Sequence, residues 1–236
     1  MSHEDFDVEE LARYLHFTPQ QIEKLANRGK IPGRRVGGDW RFSPAEVHEW
    51  MEERIGLFDE EALIDVEGKL KKSAGGGSEY PEIQLSDLLR VDVIAKPLEG
   101  RTRNSVISAM TDLGVNVGLL WDGPKMADAI RAREAMQSTA LDAGVALLHP
   151  RRPMPGILAE GFVALGITPN GIPFGGSRRL TDVFFLLCSV DDRSHLRTLA
   201  RISRLVTEES FLDELRDASG PAEVGDLIKA READFE

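Results

Sequence analysis

The spacing of apolar positions changes period several times along this chain, and each change marks an element. "VEELARYLH" and "QQIEKLANR" repeat apolar residues at intervals of three and four, which predicts two amphipathic helices. Start and stop signals frame them. Asp7 with Glu10 makes a cap and N3 pair, Thr18, Pro19 and Gln21 make a cap, an N1 proline and an N3 glutamine, and Gly29 closes the second helix. After His16 only Phe17 and Thr18 lie between the helices, so the corner is sharp. "KIPGRRVGGDWRFS" then predicts two short extended pieces about Gly37-Gly38-Asp39, a hairpin or wing. Ser43-Pro44-Ala45-Glu46 repeats the capping signature and opens "AEVHEWMEERI" as a third helix.

Periodicity disappears across "GKLKKSAGGGSEYPE", residues 68–82, a stretch rich in Gly, Ser and Lys that reads as a flexible linker. It divides the chain into a small domain, 1–67, and a larger one, 83–236. In the second, helical and strand-like patterns alternate, which indicates α/β architecture. "RTRNSVISAMTDLG" reads as a helix stopped by Gly114, and "PKMADAIRAREAM" as another after Asp122. "GVALLH", "EGFVALGI" and "LTDVFFLLCSV" are apolar runs of buried-strand length, with "GIPFGGSRR" as the hairpin between the last two. "RSHLRTLARISRLV" returns to helical spacing, and two shorter helices follow, around "EESFLDELRDA" and "PAEVGDLIKAREA".

Charge sharpens the division. The chain carries a net −11, which argues against a protein that binds nucleic acid over its whole surface. Between Gln20 and Phe42, however, Lys24, Arg28, Lys30, Arg34, Arg35 and Arg41 face only Glu23 and Asp39. A basic helix and wing suit a DNA backbone, and a solvated face of a protein-interaction module is the bland alternative. No apolar run reaches the roughly 18 residues that span a membrane, and "MSHEDFDVEE" has no signal-peptide character. The single cysteine, Cys188, excludes an intramolecular disulfide, fits a reducing cytoplasm, and sits in "VFFLLCSV" as a buried thiol rather than a nucleophile. Trp40 and Trp50 read as packing residues. His16 and His48 have no metal-ligand neighbours at useful spacing. No metal site and no cofactor are expected.

Residues 7–53 resemble the excisionase/MerR-like winged helix–turn–helix modules. The likeness is carried by Gly29-Lys30-Ile31-Pro32, by Arg35-Val36-Gly37-Gly38, and by Trp40-Arg41-Phe42 ahead of a helix with Trp50. In such a module the second helix enters a major groove, so Gln20, Gln21 and Lys24 are the candidates to meet base edges. Arg28, Arg34, Arg35 and Arg41 are the candidates to meet phosphates.

The larger domain carries a second resemblance. "AREAMQSTALDAGVALLH" and "SHLRTLARISRLVTEESFLDELRDA" are similar to the enzyme IIA domain of the bacterial phosphotransferase system, of the fructose, mannitol and nitrogen-regulatory type. This family implies a central mixed sheet flanked by helices and a strand ending in a phosphorylated histidine, here His149. Arg133-Glu134, Ser138-Thr139 and His195-Leu196 fall on the family's other motif positions. The chemistry is reasonable in itself. An imidazole of ordinary pKa, about 6.5, is largely neutral at pH 7 and accepts a phosphoryl group. The product gains negative charge, so Arg133 is the expected clamp, Thr139 an expected hydroxyl donor, and His195 an expected partner of the phosphoryl group or of His149. Arg151 and Arg152 read as rim charge. The family's stretch before the histidine, Gly-Ile-Gly-Asn-Gly-Ile-Ala-Ile-Pro-His, is altered: Ala140 and Asp142 replace glycines, and Leu148 replaces the proline. Asp142 adds a charge expected to oppose an incoming phosphoryl group.

The expectation is a cytoplasmic regulator that binds DNA through its first domain. It senses phosphotransferase status through His149, with the phosphocarrier HPr or a paralogue as donor. Two alternatives stand beside it. In one, the IIA-like domain has lost phosphotransfer and only mediates protein interaction. In the other, the protein is a transport component whose N-terminal module docks protein.

Overall fold

The structure is a computed structural model that describes residues 5–15, 17–55, 84–175 and 179–234. It separates into two units, Met1–Glu82 and Ile83–Glu236. The linker expected at 68–82 lies outside the described residues, as do His16, the side chain of His48, and Arg178.

In the first unit, α1 (Val8–Leu15) and α2 (Pro19–Asn27) begin at reciprocal caps. Asp7 Oδ1 accepts the Glu10 N–H at 2.8 Å while Glu10 accepts the Asp7 N–H at 2.9 Å. Thr18 and Gln21 exchange the same pair of bonds at 3.3 and 2.8 Å. Each box satisfies two backbone groups that a helix start leaves open. The wing is β1 (Arg34–Val36) paired with β2 (Asp39–Arg41), joined by Gly37 and Gly38 at φ +65° and +100°. A two-residue hairpin of matching twist needs positive φ at both positions, which only glycine adopts cheaply. Leu11, Leu15, Ile22, Ile31, Phe42 and Val47 form the core. The helix α3 (Pro44–Ile55) closes over it, with the Trp50 indole donating to the Lys30 carbonyl at 2.7 Å. Trp50 packs, as expected, and Trp40 stacks on Phe42 at 6.1 Å between ring centroids.

The second unit opens with a single helical turn, α4 (Leu85–Leu88), and the short strand β3 (Ile94–Ala95). Then come α5 (Arg103–Asn116), α6 (Gly123–Met136), β4 (Ala140–Leu141) and β5 (Val145–Leu148). The long strands β6 (Phe162–Ile172) and β7 (Thr181–Cys188) follow, and α7 (Asp192–Leu205), α8 (Glu209–Asp217) and α9 (Pro221–Ala233) complete it. The sheet runs β3-β6-β7-β5-β4. β6 and β7 are antiparallel neighbours, while β5 lies parallel to β7 with Leu148 opposite Leu186. This is the expected mixed sheet flanked by helices. Strands β5 and β7 are buried along nearly their whole length, which explains why they read as continuous apolar runs rather than alternation.

One expected boundary moves. Gly114 lies inside α5 rather than ending it, and a Cβ there would stand 2.5 Å from Phe162 Cζ. It is small because β6 passes close by; the positive-φ turn falls at Gly118, φ +76°. A remote carboxylate supplies a second tie that spacing does not reveal. Buried Glu232 of α9 accepts the Leu85 and Ser86 N–H groups at the start of α4 and pairs with Arg201 of α7 at 3.0 Å.

Candidate functional site

His149 follows the last residue of β5, and parallel β7 ends beside it before leading into α7. Carboxyl ends of parallel neighbours are where α/β folds converge their loops. Here the convergence brings two imidazoles together: the rings of His149 and His195 are 5.0 Å apart between centroids and inclined at 61°. Both are buried, at 2% and 1% exposure. Asp191 caps α7 by accepting the Ser194 N–H at 2.9 Å, and His195 stands in the first turn above it, at the end of the helix whose dipole favours negative charge.

A chain of hydrogen bonds runs from the end of α6 to the His149 ring. Arg133 Nη1 donates to the Gln137 carbonyl at 2.8 Å and holds the chain as it leaves the helix. Glu134 accepts the Thr139 N–H at 3.0 Å, the Thr139 hydroxyl, and the Ser138 hydroxyl at 3.3 Å. The Thr139 carbonyl in turn accepts the Leu147 N–H at 3.3 Å, and the Leu147 carbonyl meets His149 Nδ1 at 2.8 Å. A carbonyl only accepts, so this last bond puts the proton of the neutral ring on Nδ1 and leaves the lone pair on Nε2. The bond to the Leu147 carbonyl holds the ring in one tautomer and one orientation.

The structure brings His149 and His195 into contact and gathers Arg133, Glu134, Ser138 and Thr139 at the end of α6. The Thr139 hydroxyl hydrogen goes to Glu134, so in this state Thr139 shapes the turn rather than donating outward. Glu134, to which the sequence reading gave no task, is the hub. Its signal was there, since a carboxylate four and five residues ahead of Ser138-Thr139 can reach back to both. Asp142 sits in the turn before β5 and His149 follows its last residue, so the strand's four residues put about 13 Å between them at some 3.3 Å per residue. The turn's need for positive φ is met by Gly144, φ +84°. Leu148 is a fully buried, paired strand residue. Arg152 is rim charge as expected, with a partner the sequence did not suggest: Asp192, at 3.7 Å. Burial pushes the Cys188 thiol far up from its ordinary pKa, which leaves it protonated and unreactive. Among the described residues no group of His, Cys, Asp and Glu is arranged to hold a metal. None of the described helices is long and apolar enough to cross a membrane.

In the first unit Gln20, Gln21, Lys24, Arg28, Arg34 and Arg35 are exposed and Arg41 is half-buried. Gln21 Oε1 is held by the Thr18 N–H, so Gln21 cannot offer the two-point contact that reads an adenine edge while it caps the helix. Glu23 and Asn27, exposed at i+3 and i+7 from Gln20 with Lys24 at i+4, complete that face of α2. The spacing alone would have found them. Arg34 pairs with Asp5 at 2.6 Å, and Arg35 reaches Asn27 Oδ1 at 3.2 Å while its guanidinium lies 5.0 Å from the Trp40 ring centroid. These contacts tie the wing to α2 and to the start of the chain. They border a groove of about 520 Å³ lined by Glu23, Asn27, Arg35, Trp40 and Arg41, among others.

The two units define a class, a helix–turn–helix module joined to an α/β domain of the enzyme IIA kind. The chain belongs to the family described as phosphoenolpyruvate-dependent sugar phosphotransferase system, EIIA 2, which it matches over residues 87–231. Residues 6–55 match a helix-turn-helix domain family. Over 149 residues the chain is 23% identical to the PTS system fructose-specific EIIABC component of Bacillus subtilis; the match covers 62% of this chain and 23% of that protein. Among solved structures, enzyme IIA of the mannitol system from Escherichia coli, in complex with phosphorylated enzyme IIB, superposes with a TM-score of 0.52 at 17% identity, over 61% of this chain and 99% of that one. The nitrogen regulatory protein IIA-Ntr from Neisseria meningitidis gives 0.54 at 19% identity, over 61% and 97%. At such identities the likeness is one of fold. The helix–turn–helix suggests DNA binding and the IIA domain suggests involvement in phosphotransfer.

Proposed function

We propose that the protein is a cytoplasmic regulator that binds DNA through residues 1–67 and senses phosphotransferase status by accepting a phosphoryl group on His149. The observation that carries this reading is the imidazole pair, with Nδ1 of His149 held by the Leu147 carbonyl and the nucleophilic lone pair on Nε2. Nε2 attacks the phosphorus of a phosphohistidine donor, the phosphocarrier HPr or a paralogue. A P–N bond forms to His149 as the donor's P–N bond breaks, and that electron pair returns to the donor ring. The proton stays on Nδ1 and is donated to the Leu147 carbonyl, which stabilises positive character in the phosphorylated ring. His195 and Arg133 are the groups assigned to receive the phosphoryl oxygens, and Thr139 shapes the turn beside them. Gln20, Lys24, Arg28, Arg34, Arg35 and Arg41 are assigned to DNA, with Gln21 principally a cap.

The near-complete burial of both rings favours a second reading, a IIA-like domain that no longer transfers phosphate and mediates protein contacts alone. One experiment separates them. Incubation with the general phosphotransferase proteins and labelled phosphoenolpyruvate should label the wild type and leave His149→Ala blank. An unlabelled wild type, or a labelled His149→Ala, overturns the phosphohistidine. For the first unit, a gel shift of the full chain on genomic fragments should weaken with salt. Replacing Arg34 and Arg35 by Ala should lower the log–log salt slope by about 2.

A further inference from the structure

His149 and His195 each have a charged residue three positions away in sequence, and these two residues form an ion pair. Arg152, three after His149, lies 3.7 Å from Asp192, three before His195. The pair is 43% and 39% exposed, while the rings are almost wholly enclosed. It therefore ties the turn that follows β5 to the first turn of α7 at the surface, three residues along the chain from each ring. We propose that Arg152 is exchanged between two anions, pairing with Asp192 while His149 is unmodified and with the phosphoryl group once it is on His149. This rests on the reading of His149 as phosphoryl acceptor.

Charge drives the exchange. Arg133 already donates one N–H to a carbonyl of its own helix end, and a phosphoryl group arriving on Nε2 brings up to about two negative charges to an enclosed site. Asp192 then repels the new group, and the guanidinium, which favours planar two-point contact with phosphate oxygens, is drawn from carboxylate to phosphoryl. Arg152 is then a ligand of the transferred phosphoryl group and Asp192 the brake that holds it back.

Two kinds of role give different signs. If the ion pair only stabilises the fold, removing either partner moves every property in the same direction. If Arg152 is exchanged, Arg152→Ala slows phosphorylation because the cation is lost, and Asp192→Asn speeds it because the cation is released. The full chain would be incubated with phosphoramidate, a small phosphoryl donor that needs no partner protein. The initial rate and the hydrolysis half-life of phosphohistidine would be followed by mass spectrometry. Expected are a rate about fivefold lower with a shorter half-life for Arg152→Ala, a rate between that and wild type for Arg152→Lys, which keeps the charge but not the two-point contact, and a rate about twofold higher for Asp192→Asn. Rates that move together, or not at all, while His149→Ala stays unlabelled overturn the exchange and leave the phosphohistidine standing. No label on the wild type overturns both.

Discussion

Strand β5 ends in a polar arrangement on each side, and the two are built differently. At its start the turn through Gly144 is gripped by Arg216, which donates to both Asp182 oxygens at 2.9 and 3.0 Å, to Asp213 at 3.0 Å and to the Ala143 carbonyl at 2.9 Å. Burial opposes the charge on this guanidinium, but its hydrogen bonds to Asp182 and Asp213 outweigh that and hold its pKa above the ordinary value. The Asp182 and Val183 N–H groups close on the Gly144 carbonyl at 3.0 and 3.2 Å. At the far end the bonds fix the His149 ring without using its reactive nitrogen in the Leu147 bond. A polar cluster whose bonds all point inward braces a fold, whereas one that orients a basic nitrogen prepares chemistry. The same strand thus separates the two purposes by about its own length.

The largest test of this contrast is Arg216→Ala. Four bonds are lost and Asp182 is left partly buried without its cation, so unfolding in urea should come about 2–3 kcal/mol earlier. The rate at which the surviving folded protein is phosphorylated should change less than twofold. A large fall in that rate at unchanged stability would show that the two ends are one site. Glu134→Gln should give the converse at the other end. The amide keeps one acceptor oxygen for three donors and brings an N–H₂ towards the Thr139 N–H, so the turn loosens. Stability should drop by about 1–2 kcal/mol, and labelling of His149 should drop about tenfold because the ring loses its fixed tautomer and aim.

Much of this was legible in sequence wherever the cause is local. Thr18 with Gln21 and Asp122 ahead of α6 are caps whose partners lie within three residues, and the structure has them where the spacing put them. Apolar runs announced β5 and β7 because both strands are buried on both sides. The resemblance led to His149 and His195, which are 46 positions apart and meet only because β5 and β7 run parallel. What stayed hidden depends on partners far along the chain. Gly114 carries no local mark of the Phe162 ring above it, and Glu232 none of the α4 backbone it caps. The two-residue strands β3 and β4 are too short to show a period at all.

Gly144 is the finest probe of the contrast, because it tests whether the glycines lost before His149 were needed. Of the three in the family's stretch, Gly144 alone remains, and it is the position with φ +84°. A Cβ there would meet Arg216 Nη2 and the Leu180 carbonyl, each at 3.1 Å, so Gly144→Ala adds crowding to a left-handed backbone. The backbone term costs about 1–2 kcal/mol, and Arg216 can yield a few tenths of an ångström, so the total should stay near that figure. Ala140 opens β4 and the turn already has its left-handed residue in Gly144, so returning Ala140 or Asp142 to glycine should gain nothing and lose up to about 1 kcal/mol through the freer unfolded chain. If Gly144→Ala lowers the denaturation midpoint while Ala140→Gly and Asp142→Gly leave phosphorylation unchanged, the altered stretch is a re-cut turn that keeps the one glycine its backbone requires. A gain of labelling in either glycine variant would instead make the turn part of the donor's docking surface.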